Sequence, residues 1–143
     1  MADNYKDTAY RMFESSEILY RNKQWFNANY LAGYVLECYC KLVLLYTLNC
    51  GETLSRGSVR GYSHDINSMR NEIDLILLNG GNASQYCIDI CNVCNEIIAN
   101  WDPKYRYEAS SHALNNNTLA NDIKLEIASL IDIILTMEVD GVI

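Results

Sequence analysis

The sequence predicts an all-α protein, an antiparallel up-down bundle of four to five helices that forms a single domain over residues 1–143. Three observations support this prediction. Apolar residues recur at intervals of three and four along most of the chain, as on the buried face of a helix. There is one proline, which disfavours a loop-rich or all-β protein. Half of the residues are hydrophobic, which suffices for a core and excludes intrinsic disorder.

Five segments with helical periodicity are joined by short to medium connections. We expect the first helix over residues 3–21 and a second, longer helix over residues 24–48. A Gly- and Ser-rich segment without periodicity, CGETLSRGSVRGYS, follows and is expected to be a loop. The third helix is expected from about residue 63 to 79, the fourth over 82–101 and the last over 119–137. This pattern favours an up-down bundle.

Local signals mark where the helices begin and end. The glycine pair at 80–81 is typical of a helix C-terminus. Asn82, with Gln85 three residues later, resembles a capping box and predicts the start of the fourth helix. Pro103 ends that helix, because the residue before a proline is displaced from the helical region. Residues 103–117 are then expected to form a polar connection.

The chain is acidic, with 11 Lys and Arg against 18 Asp and Glu, which gives a net charge of −7. Such a surface repels phosphate backbones at long range, so contact with nucleic acid requires a local basic patch. The N-terminal sequence has no apolar segment of signal-peptide length, and Lys41 interrupts the longest apolar run, YCKLVLLYTL. We therefore expect a cytoplasmic protein with no membrane segment.

The six cysteines are expected to be reduced thiols in that compartment. Three of them lie in CIDICNVC (87–94), at a spacing similar to that of iron–sulfur loops. The same positions fall at i, i+4 and i+7 of a helical segment, which is the spacing of a core stripe. No zinc-site pattern of paired cysteines and histidines accompanies them. The prediction is core cysteines, with neither metal nor cofactor.

The up-down order would bring the two longest connections together at one end of the bundle. The end of the second helix, the start of the third, the end of the fourth and the start of the last would all lie there. Both histidines of the chain fall in these connections, together with four basic residues. We name this predicted group the basic pole; it comprises Arg56, Arg60, His64, Lys104, Arg106 and His112.

Arg106 and His112 have the spacing R-x5-H within WDPKYRYEASSH. Cleavage of RNA by its own 2′-hydroxyl needs an acid or base that ionises near neutral pH, which histidine supplies. It also needs a cation at the phosphoryl oxygens, a role suited to the planar guanidinium of arginine. The pattern is consistent with a metal-independent ribonuclease site, although so short a spacing also arises by chance in a loop.

Glu37 and Lys41 lie one turn apart in an otherwise apolar helix. They are either an exposed i,i+4 ion pair or partly buried, since the small residues Gly33 and Cys40 would let another helix approach. A buried carboxylate would need a partner such as a tyrosine hydroxyl or an arginine. His64 opens the third helix and either neighbours its cap or donates to a phosphate or carboxylate.

Three segments carry a resemblance to a known family. They are AGYVLECYCKLVLL (32–45) with the pattern A-G-Y-x-x-E-C-x-x-K, GYSHDI (61–66) with Gly and His-Asp at a helix start, and WDPKYRYE (101–108) with the pattern W-x4-R-Y. In this order the segments resemble the HEPN superfamily. The resemblance implies an HEPN-like helical bundle and a homodimer of prokaryotic origin. It also implies an association with nucleotidyltransferase partners, toxin–antitoxin pairs or phage defence.

Many proteins of that superfamily are metal-independent ribonucleases whose R-x(4–6)-H site is shared by two subunits. The resemblance makes Arg106 and His112 the catalytic pair of a ribonuclease-like toxin or defence protein that acts on RNA. The chain departs from the ribonuclease pattern because Tyr107, rather than a polar residue, follows the arginine. The alternative is a non-catalytic module that binds a nucleotide or a protein partner. Its binding residues would be His64, Arg60, Tyr107, Glu37 and Lys41, clustered with Gly61, Trp101 and Arg106.

Overall fold

The computed structural model describes residues 3–109 and 112–143, and every regular element in these ranges is helical, as predicted. The α-helices of the described residues are α1 (Tyr5–Arg21), α2 (Trp25–Asn49), α3 (Ile66–Asn79), α4 (Ile90–Val93), α5 (Asn95–Asn100) and α6 (Asn117–Val139). Short 3-10 turns lie at Arg60–Tyr62, Asn82–Tyr86 and Pro103–Tyr107. The expected bounds of the first, second and last helices agree with α1, α2 and α6 to within two residues at each end.

Helix α2 lies at the centre of the fold and contacts α1, α3 and α6. Every residue from 35 to 44 is buried, so nearly three turns of the helix are covered on all sides. Helix α1 runs antiparallel to α2, and the Ser16 hydroxyl near its end donates to the Ala28 carbonyl oxygen near the start of α2 (2.7 Å). The buried stretch explains why α2 has so weak an amphipathic pattern in the sequence.

Helix α6 runs antiparallel to α1 and therefore parallel to α2. Lys6 Nζ pairs with Glu138 Oε2 at one end (2.8 Å), and the Tyr20 hydroxyl donates to Asn121 at the other. The apolar stripe expected in the sequence faces the core, and the buried residues of this stripe are Ile123, Ile127, Leu130, Ile134 and Met137. These contacts close a three-helix core of α1, α2 and α6.

Helix α3 departs from the expected up-down order because it runs parallel to α2. His64, before its start, contacts Glu37, whereas Gly81, after its end, lies against Glu52 beyond the end of α2. The long connection after α2 turns back along the protein and buries Leu54, Val59 and Tyr62. The sequence predicted this loop but not its path, since Gly and Ser carry no signal for the direction of the chain.

The predicted fourth helix is broken into a 3-10 turn and the short helices α4 and α5. Asn82 makes no capping bond with its side chain, and residue 87 is extended. Bonds to other elements interrupt the helical ladder: the Tyr39 hydroxyl donates to the Tyr86 carbonyl oxygen (2.5 Å). The Glu126 carboxylate accepts from the backbone N–H groups of residues 96 and 97, both at 3.0 Å. The expected end of the segment is correct, because α5 stops before Trp101.

The helix ends follow ordinary capping rules. Asn4, Asp65 and Asn116 each accept a bond from the backbone N–H three residues on, at 2.9, 3.0 and 2.9 Å. Asp65 as N-cap places the start of α3 about three residues later than the sequence indicated. At the other end of α3, Gly80 takes the left-handed conformation (φ 70°) that favours glycine.

The prediction of core cysteines holds for three of the six; Cys50 and Cys87 are only partly buried, and Cys91 contradicts it. Cys38, Cys40 and Cys94 are buried, and burial raises the pKa of the Cys38 and Cys94 thiols to about 12. A thiol with so high a pKa stays protonated and is a poor metal ligand. Cys91 is exposed, because the break between α4 and α5 takes it off the expected core stripe.

Helix α2 has the length and composition of a membrane span, although Lys41 interrupts its apolar run. However, 67% of its most apolar 18-residue window is buried inside the protein. A helix covered in this way is consistent with the core helix of a soluble protein.

Candidate functional site

Residues from three separate segments meet on one face of α2 and form a cluster around Trp101. Gly33 lies against the indole: a Cβ atom on Gly33 would be 2.0 Å from Trp101 Cε2 and about as close to the neighbouring ring atoms. The indole Nε1 donates to the Tyr30 carbonyl oxygen (2.7 Å). The lack of a side chain at Gly33 therefore sets how closely the chain at Trp101 packs on α2.

Two tyrosines, one turn apart on α2, extend the cluster. The Tyr30 hydroxyl donates to the Pro103 carbonyl oxygen (2.8 Å) and so accepts from the Tyr34 hydroxyl (2.8 Å). The Tyr34 ring makes edge contacts with Trp101 and His64, with centroids 5.1 and 6.4 Å apart. Burial and the bond to Tyr30 raise the pKa of Tyr34, which keeps its hydrogen. These contacts tie the connection after α5 to α2.

Glu37 and His64 form a hydrogen-bonded pair next to Tyr34. The Glu37 side chain is almost fully buried, and its Oε1 lies 2.6 Å from His64 Nδ1. Since a carboxylate accepts, Nδ1 carries a hydrogen and Nε2 of the neutral ring is left as an acceptor. Within residues 3–109 and 112–143, His64 Nε2 has no hydrogen-bond partner, and the side chain is 57% exposed.

Lys41 completes the buried part of the cluster. Its Nζ lies 3.7 Å from Glu37 Oε2 and 5.4 Å from the centre of the Tyr5 ring. Of the two possibilities left open by the sequence, the structure shows the buried pair. The partners of the Glu37 carboxylate are His64 and Lys41, rather than the tyrosine or arginine that the sequence suggested.

A cleft of about 300 Å³ opens between the start of α3 and the end of α5. Trp101 and His64 both line it, and the indole is also packed against Gly33. Two carboxylates also line the cleft: Asp65, the N-cap of α3, and Asp102, which accepts from the backbone N–H of the 3-10 turn that follows (2.9 Å). The cleft therefore combines an aromatic surface with hydrogen-bond acceptors and negative charge.

Arg106 lies on the turn that directly follows the cleft-lining residues. Its guanidinium is exposed, near the hydroxyls of Tyr30 and Tyr34 and 5.9 Å from the centre of the Tyr107 ring. No carboxylate of the described residues is within ion-pair distance of it. Tyr107 is 86% exposed and takes no other part in the cluster, contrary to expectation. Arg106 is thus a cation available to a ligand.

His112 lies against Phe26 in the first turn of α2, one helical turn before Tyr30, which is near Arg106. Its ring packs edge-on against Phe26 (centroids 6.0 Å apart) and at a tilt of 49° against Tyr105 (4.4 Å). Its Nδ1 accepts a hydrogen bond from the Leu114 backbone N–H (3.0 Å). The neutral ring therefore carries its hydrogen on Nε2. This nitrogen can donate a hydrogen bond but cannot accept one. His64 and His112 have opposite tautomers.

The predicted basic pole does not form at the end of the bundle, although its members His64, Arg56 and Lys104 lie around the cleft. Arg106 and His112 lie along the first half of α2, because the chain from 82 to 101 runs back towards the start of that helix. Arg60 lies beside Tyr5, on the Lys41 side of the cluster, and pairs with Asp3 at 2.9 Å. The remaining cations of the predicted group also have acidic partners: Arg56 pairs with Asp65 (3.2 Å) and Lys104 with Asp102 (3.8 Å). Gly61 lies against Arg56, outside the cluster.

Three residues of this site were not singled out from the sequence. Tyr30 has the spacing of an ordinary core residue, and Asp65 and Asp102 have the positions of ordinary caps. The packing of Gly33 against another segment did have a sequence signal, because two small residues, Gly33 and Cys40, lie beside the charged pair on α2. No group of three or more His, Cys, Asp or Glu side chains that could hold a metal ion occurs in the described ranges. Comparison of the chain with family models, curated proteins and solved structures finds no match.

Proposed function

We propose that the chain is an HEPN-type helical module whose function is to bind a nucleotide. The cluster supports this proposal because its members come from the segments that resemble the superfamily. Gly33, Glu37 and Lys41 belong to the first segment, His64 to the second, and Trp101 and Arg106 to the third. Segments far apart in sequence are expected to share a site when they share a function.

The observation that carries the proposal is an exposed arginine beside an open aromatic cleft. Guanidinium groups bind phosphate through paired hydrogen bonds, and Arg106 has no carboxylate partner among the described residues to compete. Where it lines the cleft, the Trp101 indole offers an aromatic surface to a base. The cleft volume of about 300 Å³ suits a small ligand.

The proposal is tested by calorimetric titration of the protein with AMP. We expect saturable binding to the wild type and a loss of affinity of about tenfold or more in Arg106→Gln, since a charge-assisted bond is removed. Arg21→Gln is the matched control: it removes an equally exposed arginine, paired with Glu17 on α1. Equal affinity in all three proteins, or no binding to the wild type, contradicts the proposal.

The second candidate function is the metal-independent ribonuclease. Arg106 lies near Tyr30 and Tyr34, and His112 packs on Phe26, one turn earlier on α2. The Nε2–H of His112 can donate a hydrogen bond to a phosphoryl oxygen or to the leaving oxygen. Transfer of a proton to the leaving oxygen requires the imidazolium form of His112, in which Nδ1 gives up its bond from the Leu114 N–H. The base would then come from elsewhere.

This candidate is tested by cleavage of a labelled RNA pool in EDTA. The wild type is compared with Arg106→Ala and His112→Ala, with folding checked by circular dichroism. Cleavage by the wild type that is lost in both variants supports a ribonuclease. Absence of cleavage leaves nucleotide binding as the function.

We also propose a cytoplasmic, prokaryotic homodimer, with a nucleotidyltransferase as a possible partner and toxin–antitoxin or defence context. The resemblance of the three segments to the HEPN superfamily supports this proposal. Sedimentation equilibrium measures the mass directly. A monomer at every concentration would contradict the dimer.

A further inference from the structure

We infer that the cleft binds the base of the nucleotide rather than its phosphate, and that it prefers bases bearing an exocyclic amino group. This inference rests on the proposed nucleotide-binding function and adds the orientation of the ligand and its chemical class. Adenine and cytosine present an amino donor where hypoxanthine and uracil present a carbonyl acceptor. The groups that line the cleft distinguish these two patterns.

Among the described residues, the cleft offers a phosphate no unpaired cation. Asp65 and Asp102 line it, and each already pairs with a cation, Arg56 (3.2 Å) and Lys104 (3.8 Å). In the first turn of α3, the Ile66 and Ser68 N–H groups are already bonded, to the His64 carbonyl oxygen and to Asp65, both at 3.0 Å. Outside the cleft, Arg106 provides an exposed cation on the adjoining turn. A nucleotide therefore fits with its phosphate on that turn and its base inside.

Trp101 provides the stacking surface for the base. Its indole is fixed on one side by Gly33 and at Nε1 by the Tyr30 carbonyl oxygen. It is also held at its edge by Tyr34. A ring fixed at these points has little side-chain entropy to lose when a ligand stacks on the part that lines the cleft.

His64 provides the acceptor that reads the amino group. The buried Glu37 carboxylate holds the hydrogen on Nδ1, so Nε2 of the neutral ring presents a lone pair at the edge of the cleft. An amino group donates to this nitrogen. A carbonyl oxygen at the same place faces the lone pair of His64 Nε2 and binds less well.

The experiment compares AMP with IMP and CMP with UMP by calorimetry, at a pH above the range in which imidazoles ionise. Within each pair the ring skeleton and the phosphate are the same; the amino group is replaced by a carbonyl, and the adjacent ring nitrogen gains a hydrogen. We expect AMP and CMP to bind about threefold to tenfold more tightly than their partners, the value of one hydrogen bond. This comparison uses the wild-type protein alone, so it does not depend on a variant that folds.

Two variants then separate the roles of the residues. Arg106→Gln should weaken AMP and IMP equally and leave their ratio unchanged. His64→Phe keeps a ring against Tyr34 and should bring the ratio close to one. Equal wild-type affinities for AMP and IMP, still reduced in Arg106→Gln, would overturn this inference and leave nucleotide binding intact. No binding by any of the four nucleotides would overturn both.

Discussion

The two histidines of the chain carry their ring hydrogens on different nitrogens. His64 donates from Nδ1 to Glu37, whereas His112 accepts at Nδ1 from the Leu114 N–H. The hydrogen bonds assign these tautomers, which decide what each ring can do. The sequence singled out both residues and favoured His112 for catalysis. The tautomer of each ring could not be predicted, because it depends on a hydrogen-bond partner that the sequence does not reveal.

Asp65 is a residue whose effect on stability depends on pH. Hydrogen bonds from Ser68, and then the pairing with Arg56, hold its pKa below that of a free carboxyl. A lowered folded-state pKa stabilises the fold above about pH 4, and this stabilisation is lost as the pH falls through the lowered value. We predict that Asp65→Ala lowers the free energy of unfolding by about 1 kcal/mol at neutral pH.

Urea denaturation at a series of pH values measures this effect. The difference between Asp65→Ala and the wild type should shrink as the pH falls below about 4. Asp132→Ala, which removes an exposed carboxylate from the middle of α6, is the control and should show no such loss. A difference that is constant across the series contradicts the assignment.

The cysteines should differ in reactivity according to burial. Cys91 is exposed, whereas burial raises the pKa of Cys38 and Cys94 to about 12 and so suppresses their thiolates. We predict that a thiol reagent modifies Cys91 first in the folded protein and the buried thiols only after unfolding. The fast phase should disappear in Cys91→Ser. Its persistence there would show that another thiol is accessible.

Helix α2 positions the site because it presents several of its residues along a single face. Gly33, Tyr34 and Glu37 contact Trp101 and His64 from this face. The bounds of this helix could be predicted, since long apolar periodicity is a strong signal. The break between α4 and α5 could not, because it depends on bonds from Tyr39 and Glu126 on other helices.

The packing of Gly33 on Trp101 is tested by a double-mutant cycle. A methyl group at position 33 would overlap the indole, so we predict that Gly33→Ala lowers the free energy of unfolding by about 1–3 kcal/mol. In a Trp101→Ala background the overlap is removed, and the same change should be neutral or stabilising by up to about 1 kcal/mol, the helix propensity difference. Chemical denaturation of the four proteins gives the coupling. Additive effects would show that the two residues do not interact.

At the scale of the whole molecule, the all-helical fold followed from composition and periodicity, but the order of directions did not. The connection after α2 runs back along the protein, so α3 is parallel to α2 and the basic pole is dispersed. The Gly- and Ser-rich pattern of CGETLSRGSVRGYS does not predict that path, which is fixed in the structure by burial of its Leu54 and Val59 and by the bond from its Tyr62 to Glu72 (2.8 Å). The same path brings His64 beside Glu37 and so creates the cleft.

The central claim is that a nucleotide stacks on Trp101, and fluorescence tests it most directly. The chain has two tryptophans, so Trp25→Phe leaves Trp101 as the only indole that reports. Titration of this variant with AMP should quench the emission saturably, with the dissociation constant found for the wild type by calorimetry. The same titration of Trp25→Phe/Arg106→Gln should require about tenfold more AMP. Emission that AMP leaves unchanged, or quenching that is identical in the two proteins, would contradict the account.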